Sequence, residues 1–446
     1  MIKMRDLAAV AAIVLLSGCA TAEKAADSPS DHAKRPSGEA KAADQEQNAA
    51  AAVANSAGKA SIPAKPGDWP HFGGPNGDCS SPDTGINKDW KAKSPKEVWR
   101  VPMADGGFAG PCIVGDKLFI NDHGNNCDYV RCLDVKTGKE LWQSDKFPSS
   151  NYHSSGHSNS TPTFDGNKLY VMSRDGQLSC FDAENGSIIW KHDLVAEFKG
   201  KPSPWLYNSS PVIDGNNVIV CPGGPDGCVA AFTKDKGELV WRGGRVDFAD
   251  CSTPTLATLN GRKSLLVFGD QALMNLNPKD GKTQWEAESK VKTTHIPSPV
   301  IADGHVFASA GYGTPCVMVA ADGKVLWENK NMMPHMNTPV YDKGYLYGTS
   351  GQSESTGDLV CVDAKTGAVI WKQPGFEAGG LVAVDGVLIV IDGKTGEAAM
   401  ARINPKAYEE LGRFKPVGGR SWTSPAIADG KLFVRNEKEL ACFDLK

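Results

Sequence analysis

An all-β fold, a closed ring of eight four-stranded antiparallel blades, is predicted by three features of this 446-residue chain. They are a recurring motif that ends in tryptophan, a period-two alternation of apolar residues, and ends that complement each other. The clearest copy of the motif is Cys132-Leu133-Asp134-Val135-Lys136-Thr137-Gly138-Lys139-Glu140-Leu141-Trp142. Further copies end at Trp190, Trp241, Trp285, Trp327 and Trp371, at steps of about 42 to 51 residues, the size of a propeller blade. Between them, runs such as Lys117-Leu118-Phe119-Ile120 and Lys168-Leu169-Tyr170-Val171 alternate, separated by Asp-Gly, Asn-Gly or Thr-Gly pairs. Such pairs tolerate the positive φ that tight hairpins require, so the runs read as short antiparallel strands.

The ends argue for a closed ring over an open solenoid, whose terminal units would be capped and atypical. The last unit stops at Cys442-Phe443-Asp444-Leu445-Lys446, before its tryptophan strand, and the missing strand stands at the start of the body as Lys96-Glu97-Val98-Trp99-Arg100. Pairing the two removes an open edge. Innermost strands begin at Pro111, Pro162, Pro211, Pro254, Pro299, Pro339, Leu381 and Pro425, hence eight blades. The seventh is degenerate, with Ile403-Asn404-Pro405 and Phe414 where the motif and its tryptophan are expected. Trp99, Trp142, Trp190, Trp241, Trp285, Trp327 and Trp371, one per blade, are expected to pack neighbouring blades together and not to form a ligand box.

Ahead of the ring the chain changes character. Residues 1–18 carry Lys3 and Arg5, then an apolar run from Leu7 to Leu16 that is too short to span the ~30 Å core of a bilayer. This is the layout of an export signal. Leu16-Ser17-Gly18-Cys19 resembles a bacterial lipobox, which implies that Cys19 becomes the lipidated N-terminus. Ala20 follows in place of an aspartate, which by analogy with lipoprotein sorting implies the outer membrane, facing the periplasm. Residues 19–66 hold almost no large apolar side chains and read as a disordered tether with a reach of roughly 150 Å at ~3.3 Å per residue. The domain plan is therefore signal 1–18, lipidated tether 19–66 and propeller 67–446. A net charge of -4 and a pI near 6.2 give no footing for nucleic acid.

The D-x-x-T-G-K-x-x-W core, the Ser/Thr-Pro strand starts and the lead-in Asp68-Trp69-Pro70-His71-Phe72-Gly73-Gly74-Pro75-Asn76-Gly77 together resemble the pyrroloquinoline-quinone-like (PQQ-like) β-propeller repeat family, over about 67–446. Two branches carry different implications. One is similar to the BamB-type outer-membrane assembly lipoproteins, which implies a scaffold with protein partners in the envelope, a membrane contact through the lipid, and no cofactor. The other is the quinoprotein dehydrogenases, which implies a PQQ-dependent oxidoreductase with the quinone near the ring axis, between a tryptophan and a disulfide of adjacent cysteines, above a calcium ion with hard oxygen ligands. None of the twelve cysteines is adjacent to another, and the blades lack long inserts. Lipobox, tether and compact blades match the scaffold branch.

No catalytic signature and no metal signature stands out. Cys132, Cys180, Cys361 and Cys442 share one repeat position in separate blades and are expected to be buried free thiols. Cys221 and Cys228 flank a Gly/Pro-rich stretch without paired histidines, and His153 and His157 lie in a Gly/Ser-rich loop, so neither pair reads as a metal site. Reading four residues back from each innermost strand gives Gly107, Ser158, Tyr207, Asp250, His295, His335, Glu377 and Ser421, with Asn159, Asn208, Asn337, Arg420 and Trp422 close by. Rotational symmetry places these as one polar collar at a channel mouth, a candidate binding site for a small molecule or for a polysaccharide.

Overall fold

Eight antiparallel sheets follow one another in sequence order, each running from an innermost strand outward. In this computed structural model the described residues are 65–446, apart from 105, 150–157, 246–250, 270–271, 289–294 and 353–355. The signal, Cys19, nearly all of the tether, His153, His157 and Asp250 lie outside them. The innermost strands are Cys112–Val114, Thr163–Asp165, Val212–Asp214, Thr255–Leu259, Val300–Ala302, Val340–Asp342, Leu381–Val384 and Ala426–Ala428, which open blades 1 to 8. Blade 8 takes its fourth strand from Lys96–Pro102, antiparallel to Glu439–Asp444, so the ring closes between the N-terminal strand and the C-terminal blade as expected. One short helix, Leu194–Phe198, capped by Asp193, follows blade 2.

The docking tryptophans share one register. Trp142 stands opposite Cys132, Trp190 opposite Cys180, Trp371 opposite Cys361 and Trp99 opposite Cys442, each just before a bulge. The small thiol leaves room for the indole, and burial pushes the Cys361 thiol up to about 11 and those of Cys132 and Cys442 to about 12. Six of the seven indoles meet the turn glycine of the next blade, while Trp371 packs against Tyr408 of blade 7. A Cβ on Gly138 would sit 2.8 Å from the Trp99 ring, and one on Gly281 2.4 Å from that of Trp241. Both glycines have φ near +71°, so the turn needs glycine for conformation and for space. The indole N–H then donates to a carbonyl of the same turn in Trp99 to Val135 at 2.8 Å and Trp241 to Pro278 at 2.9 Å, whereas that of Trp142 has no acceptor among the described residues. Asp134 braces that turn, its Oδ1 accepting from the Thr137 hydroxyl at 2.6 Å and amide at 2.8 Å, which holds its carboxyl below the usual range.

Blade 7 departs from this pattern. Gly412, not Phe414, stands in the tryptophan register, opposite Met400. The indole comes instead from Trp90, ahead of the ring: a Cβ on Gly412 would lie 2.6 Å from the Trp90 Cβ. Trp90 is buried and packs edge-on to Phe414, which in turn packs edge-on to Phe443 of blade 8. Further upstream, Trp69 exchanges two 2.8 Å backbone bonds with Ile113 of blade 1, and the Pro70 carbonyl accepts from the Phe164 amide of blade 2. Ser80–Ser81 then adds as a parallel strand to Leu381–Val384 of blade 7. The lead-in therefore crosses the inner end of the ring from blades 1 and 2 to blade 7.

Around the axis, hydroxyls join neighbours. The oxygens of Thr161, Ser210 and Thr253 accept from the amides of Gly110, Thr161 and Ser210 in the preceding blade, at 2.9 to 3.0 Å, and Thr338 accepts from Ser298 at 3.0 Å. This accounts for the Ser/Thr that precedes Pro162, Pro211, Pro254 and Pro339: it supplies an interblade acceptor beside a residue that has no N–H of its own. At the 8-to-1 seam, Thr423 donates to the Phe108 carbonyl at 3.1 Å. Fully buried Arg435, its pKa lowered to about 10 by burial, donates to the carbonyls of Ala109 and Asn121.

Two predictions follow from this packing. Trp90→Ala empties the seam between blades 7 and 8 and should cost about 3–5 kcal/mol in urea unfolding, whereas the exposed neighbour change Lys91→Ala should stay within about 0.5 kcal/mol. His335, 2% exposed and edge-on to Tyr312 at 4.5 Å, has its pKa lowered by burial from 6.5 to about 4. The folded chain thus keeps this imidazole neutral, while the unfolded chain protonates it near pH 6.5. Stability should be full above that pH and fall as pH drops from about 6.5 to about 4, levelling below it, by about 3 kcal/mol from this group alone. Urea midpoints of the wild type and His335→Gln between pH 7.5 and 4 check this, and an equal acid slope in the two proteins would contradict it.

Candidate functional site

A cavity of about 450 Å³ lies on the ring axis. Trp69, Phe72 and Gly73 of the lead-in contribute to its lining. The rest comes from the segments that approach the innermost strands, and there the extended backbone sorts the side chains. Residues three before the proline that leads into the innermost strand line the cavity in seven of the eight blades: Phe108, Asn159, Asn208, Cys251, Ile296, Met336 and Trp422. So do residues one before that proline, among them Thr161, Ser210, Thr253 and Thr338. Residues two and four before point the other way, because successive side chains of an extended chain alternate.

The candidate collar divides along this alternation. Asn159, Asn208, Arg420 and Trp422 line the cavity. Ser158, Tyr207, His295, His335, Asn337 and Glu377 are buried outside its lining. Ser158 donates to Asp128 at 2.8 Å, within a buried cluster that includes the 2.8 Å pair of His123 and Asp128. The Tyr207 hydroxyl donates to the Pro222 carbonyl at 2.8 Å, and Asn337 donates to the Thr349 hydroxyl. His295 packs edge-on to Phe268 at 4.1 Å, and the Glu377 amide donates to Asp392 at 2.8 Å. Phe108, Trp205, Cys251, Tyr312 and the lead-in aromatics line the cavity without having been marked by the fourfold-back count. A count of three and one before the proline finds Phe108 and Cys251, whereas Trp205, Tyr312, Trp69 and Phe72 sit in connections outside any shared repeat position.

One wall is an aromatic stack. Phe108 and Trp422 lie 5.0 Å apart, and the Arg420 guanidinium covers the Trp422 ring at 4.6 Å while meeting Glu437 at 3.5 Å. Trp205 and Tyr312 line the cavity from the side of blades 3 and 5. The two asparagines are linked, Asn159 donating to Asn208 at 2.7 Å and Asn208 to the Cys251 sulfur at 2.9 Å. Arg420 is the one charged side chain of the described lining, which contains no carboxylate. Among the described residues no cluster of three or more His, Cys, Asp or Glu is placed to hold a metal ion. A quinone with several carboxylates above a calcium ion needs several cations for the quinone and anionic oxygens for the metal, and the described lining does not match that set.

Comparison with known proteins agrees with this architecture. Residues 126–373 match the family described as outer membrane protein assembly factor BamB. The chain is 23% identical over 367 residues to outer membrane protein assembly factor BamB of Yersinia pestis, covering 77% of this chain and 86% of that one. Among solved structures, the fold is similar to BamB of Moraxella catarrhalis, with a TM-score of 0.59 at 16% identity over 79% of this chain and 98% of that one. It is also similar to the quinohemoprotein alcohol dehydrogenase of Comamonas testosteroni, with a TM-score of 0.64 at 14% identity over 84% and 80% of the two chains. Both likenesses are of fold. With eight docked blades and the match over more than half of its length, this chain belongs to the PQQ-like repeat propeller family described as outer membrane protein assembly factor BamB.

Proposed function

We propose that the chain is a non-catalytic protein-interaction scaffold of the bacterial envelope, acting like BamB in outer-membrane protein assembly or a related periplasmic role. In this reading Cys19 is acylated and tethers the ring to the outer membrane. The supporting observation is a belt of aliphatic side chains on the outermost strands. Val98, Leu141, Val240, Leu326 and Ile370 each immediately precede a docking tryptophan, and each is 42–49% exposed. Their strands end their sheets, so one backbone edge of each has no ladder partner within its sheet. An unpaired edge flanked by aliphatic side chains suits an extended partner segment, which gains main-chain hydrogen bonds and apolar contact together. The mismatch between the cavity lining and a quinone with calcium weighs against the dehydrogenase branch.

Two measurements test this reading. A photo-crosslinking residue at Leu326 or Val240, in intact envelopes, should form adducts with components of outer-membrane protein assembly, and the same residue at the turn position Lys365 should not. No adduct at the belt, or equal adducts at Lys365, would count against the scaffold. Titration of the purified chain with pyrroloquinoline quinone and calcium should give no saturable change in quinone absorbance and no dye reduction; a saturable change with turnover would restore the dehydrogenase branch.

A further inference from the structure

The outer edges leave the axial cavity without a role, and two of its aromatics stand on backbone held in a costly conformation. Tyr312 lines the cavity at φ +57° and is 42% exposed, the one aromatic among the large apolar side chains that the described residues leave exposed. Trp205 lines it from blade 3, beside Leu206 at φ +65°. A bulky residue in the left-handed region persists only where its surroundings hold it, and such residues gather at ligand clamps. Asn208 holds the Trp205 loop, its Nδ2 donating to the carbonyls of Trp205 at 2.9 Å and Leu206 at 3.3 Å. The Ser203 hydroxyl donates to the Leu206 carbonyl at 3.1 Å and accepts from the Trp205 amide at 3.2 Å. Both aromatic rings are thus set in place ahead of any guest.

The polar part of the lining is neutral and two-sided. It contains no carboxylate among the described residues, and Arg420 is already spent on Glu437 and on the Trp422 ring. Thr161, Ser210, Thr253 and Thr338 each accept one amide, which leaves each hydroxyl a proton and a lone pair. Asn159 accepts from the Phe108 amide and donates to Asn208, which leaves it one N–H and one lone pair. An ion finds no unspent opposite charge in this lining, and a purely apolar ring would leave its hydroxyls and amide unpaired. A neutral sugar meets both demands. Each sugar hydroxyl brings a proton and lone pairs, and the C–H bonds on the face of a pyranose give an apolar surface that packs on an indole or a phenol. The volume lies within the roughly 300–1,000 Å³ of small-molecule sites.

We propose that the axial cavity binds a neutral pyranose residue of a glycan, with Trp205 and Tyr312 packing on the sugar ring and the inner hydroxyls and Asn159 pairing with its hydroxyls. The site is separate from the scaffold edges and stands or falls independently of them.

Calorimetric and ligand-observed NMR titration of the purified full chain with cellobiose, maltose and N,N′-diacetylchitobiose tests it. The competing classes are 2-naphthamide, a neutral flat ring without hydroxyls, and methyl glucuronide set against methyl glucoside as the measure of charge. The expected result is saturable binding of at least one disaccharide. Trp205→Leu and Tyr312→Leu should each weaken that binding about three- to tenfold, the worth of one lost aromatic contact. Leu326→Ala on the outer edge should leave it unchanged, with unfolding midpoints confirming that each variant is folded. The proposal is overturned if no disaccharide binds saturably, if both aromatic variants bind as the wild type does, or if naphthamide binds more tightly than every disaccharide. It is equally overturned if the glucuronide binds about tenfold or more tighter than the glucoside, since that requires an unspent positive charge.

Discussion

The contact on which the whole ring depends is an indole laid against a glycine of the next blade. Each blade alone is a four-stranded sheet with two apolar faces, and it becomes stable only when both are covered. The tryptophan covers a large area in one step, and its N–H is satisfied by a carbonyl of the turn that the glycine opens, as with Trp241 on Gly281 and Pro278. Geometry therefore transmits from blade to blade: the turn that receives one indole leads into the strand that carries the next, and at Asp134 and Asp363 an aspartate–threonine pair braces it. The inner hydroxyl bonds add a second constraint near the axis, joining blades 1 to 6 in series and blade 8 to blade 1.

A ring held by nearest-neighbour contacts fails at its weakest junction, and two junctions here receive additional reinforcement. At the 8-to-1 seam, where the first strand of the ring completes the last blade, Arg435 and Thr423 reach three carbonyls across the gap. At blade 7, which has no tryptophan of its own in register, the lead-in supplies Trp90 against Gly412 and a parallel strand against Leu381–Val384. The same lead-in lines the axial cavity through Trp69, Phe72 and Gly73. One segment thus repairs a degenerate blade and helps to shape the cavity.

How far the sequence revealed this depended on whether a feature repeats. The motif at Cys132 to Trp142 recurs, so blade count, closure through Trp99 and the place of the buried cysteines were legible from spacing alone. Trp90 occurs once, in a segment with no repeat register, and nothing local says that it faces Gly412. The collar shows the limit of symmetry arguments. Symmetry correctly brings equivalent residues to one level of the ring, but it does not say which way they point, and in extended chain a one-residue difference in register exchanges cavity for core. Asn159 and Trp422 therefore line the cavity while Ser158 and Ser421, their immediate neighbours, are buried away from its lining.

That alternation also governs how the fold can take on chemistry. The inner hydroxyls of Thr161, Ser210, Thr253 and Thr338 accept interblade amides, which leaves each with a proton and one lone pair for whatever lies at the axis. The ring's own hydroxyls therefore set no charge preference, which has to come from added side chains: carboxylates to hold a cation, or guanidiniums to hold an anion. In the described lining of this chain that addition is Arg420, stacked on Trp422 and paired with Glu437. The same scaffold can thus serve redox enzymes and interaction proteins without changing its blades, because the ring needs only the indoles, the glycines and the hydroxyls. The few residues that project from between them decide what the axis holds.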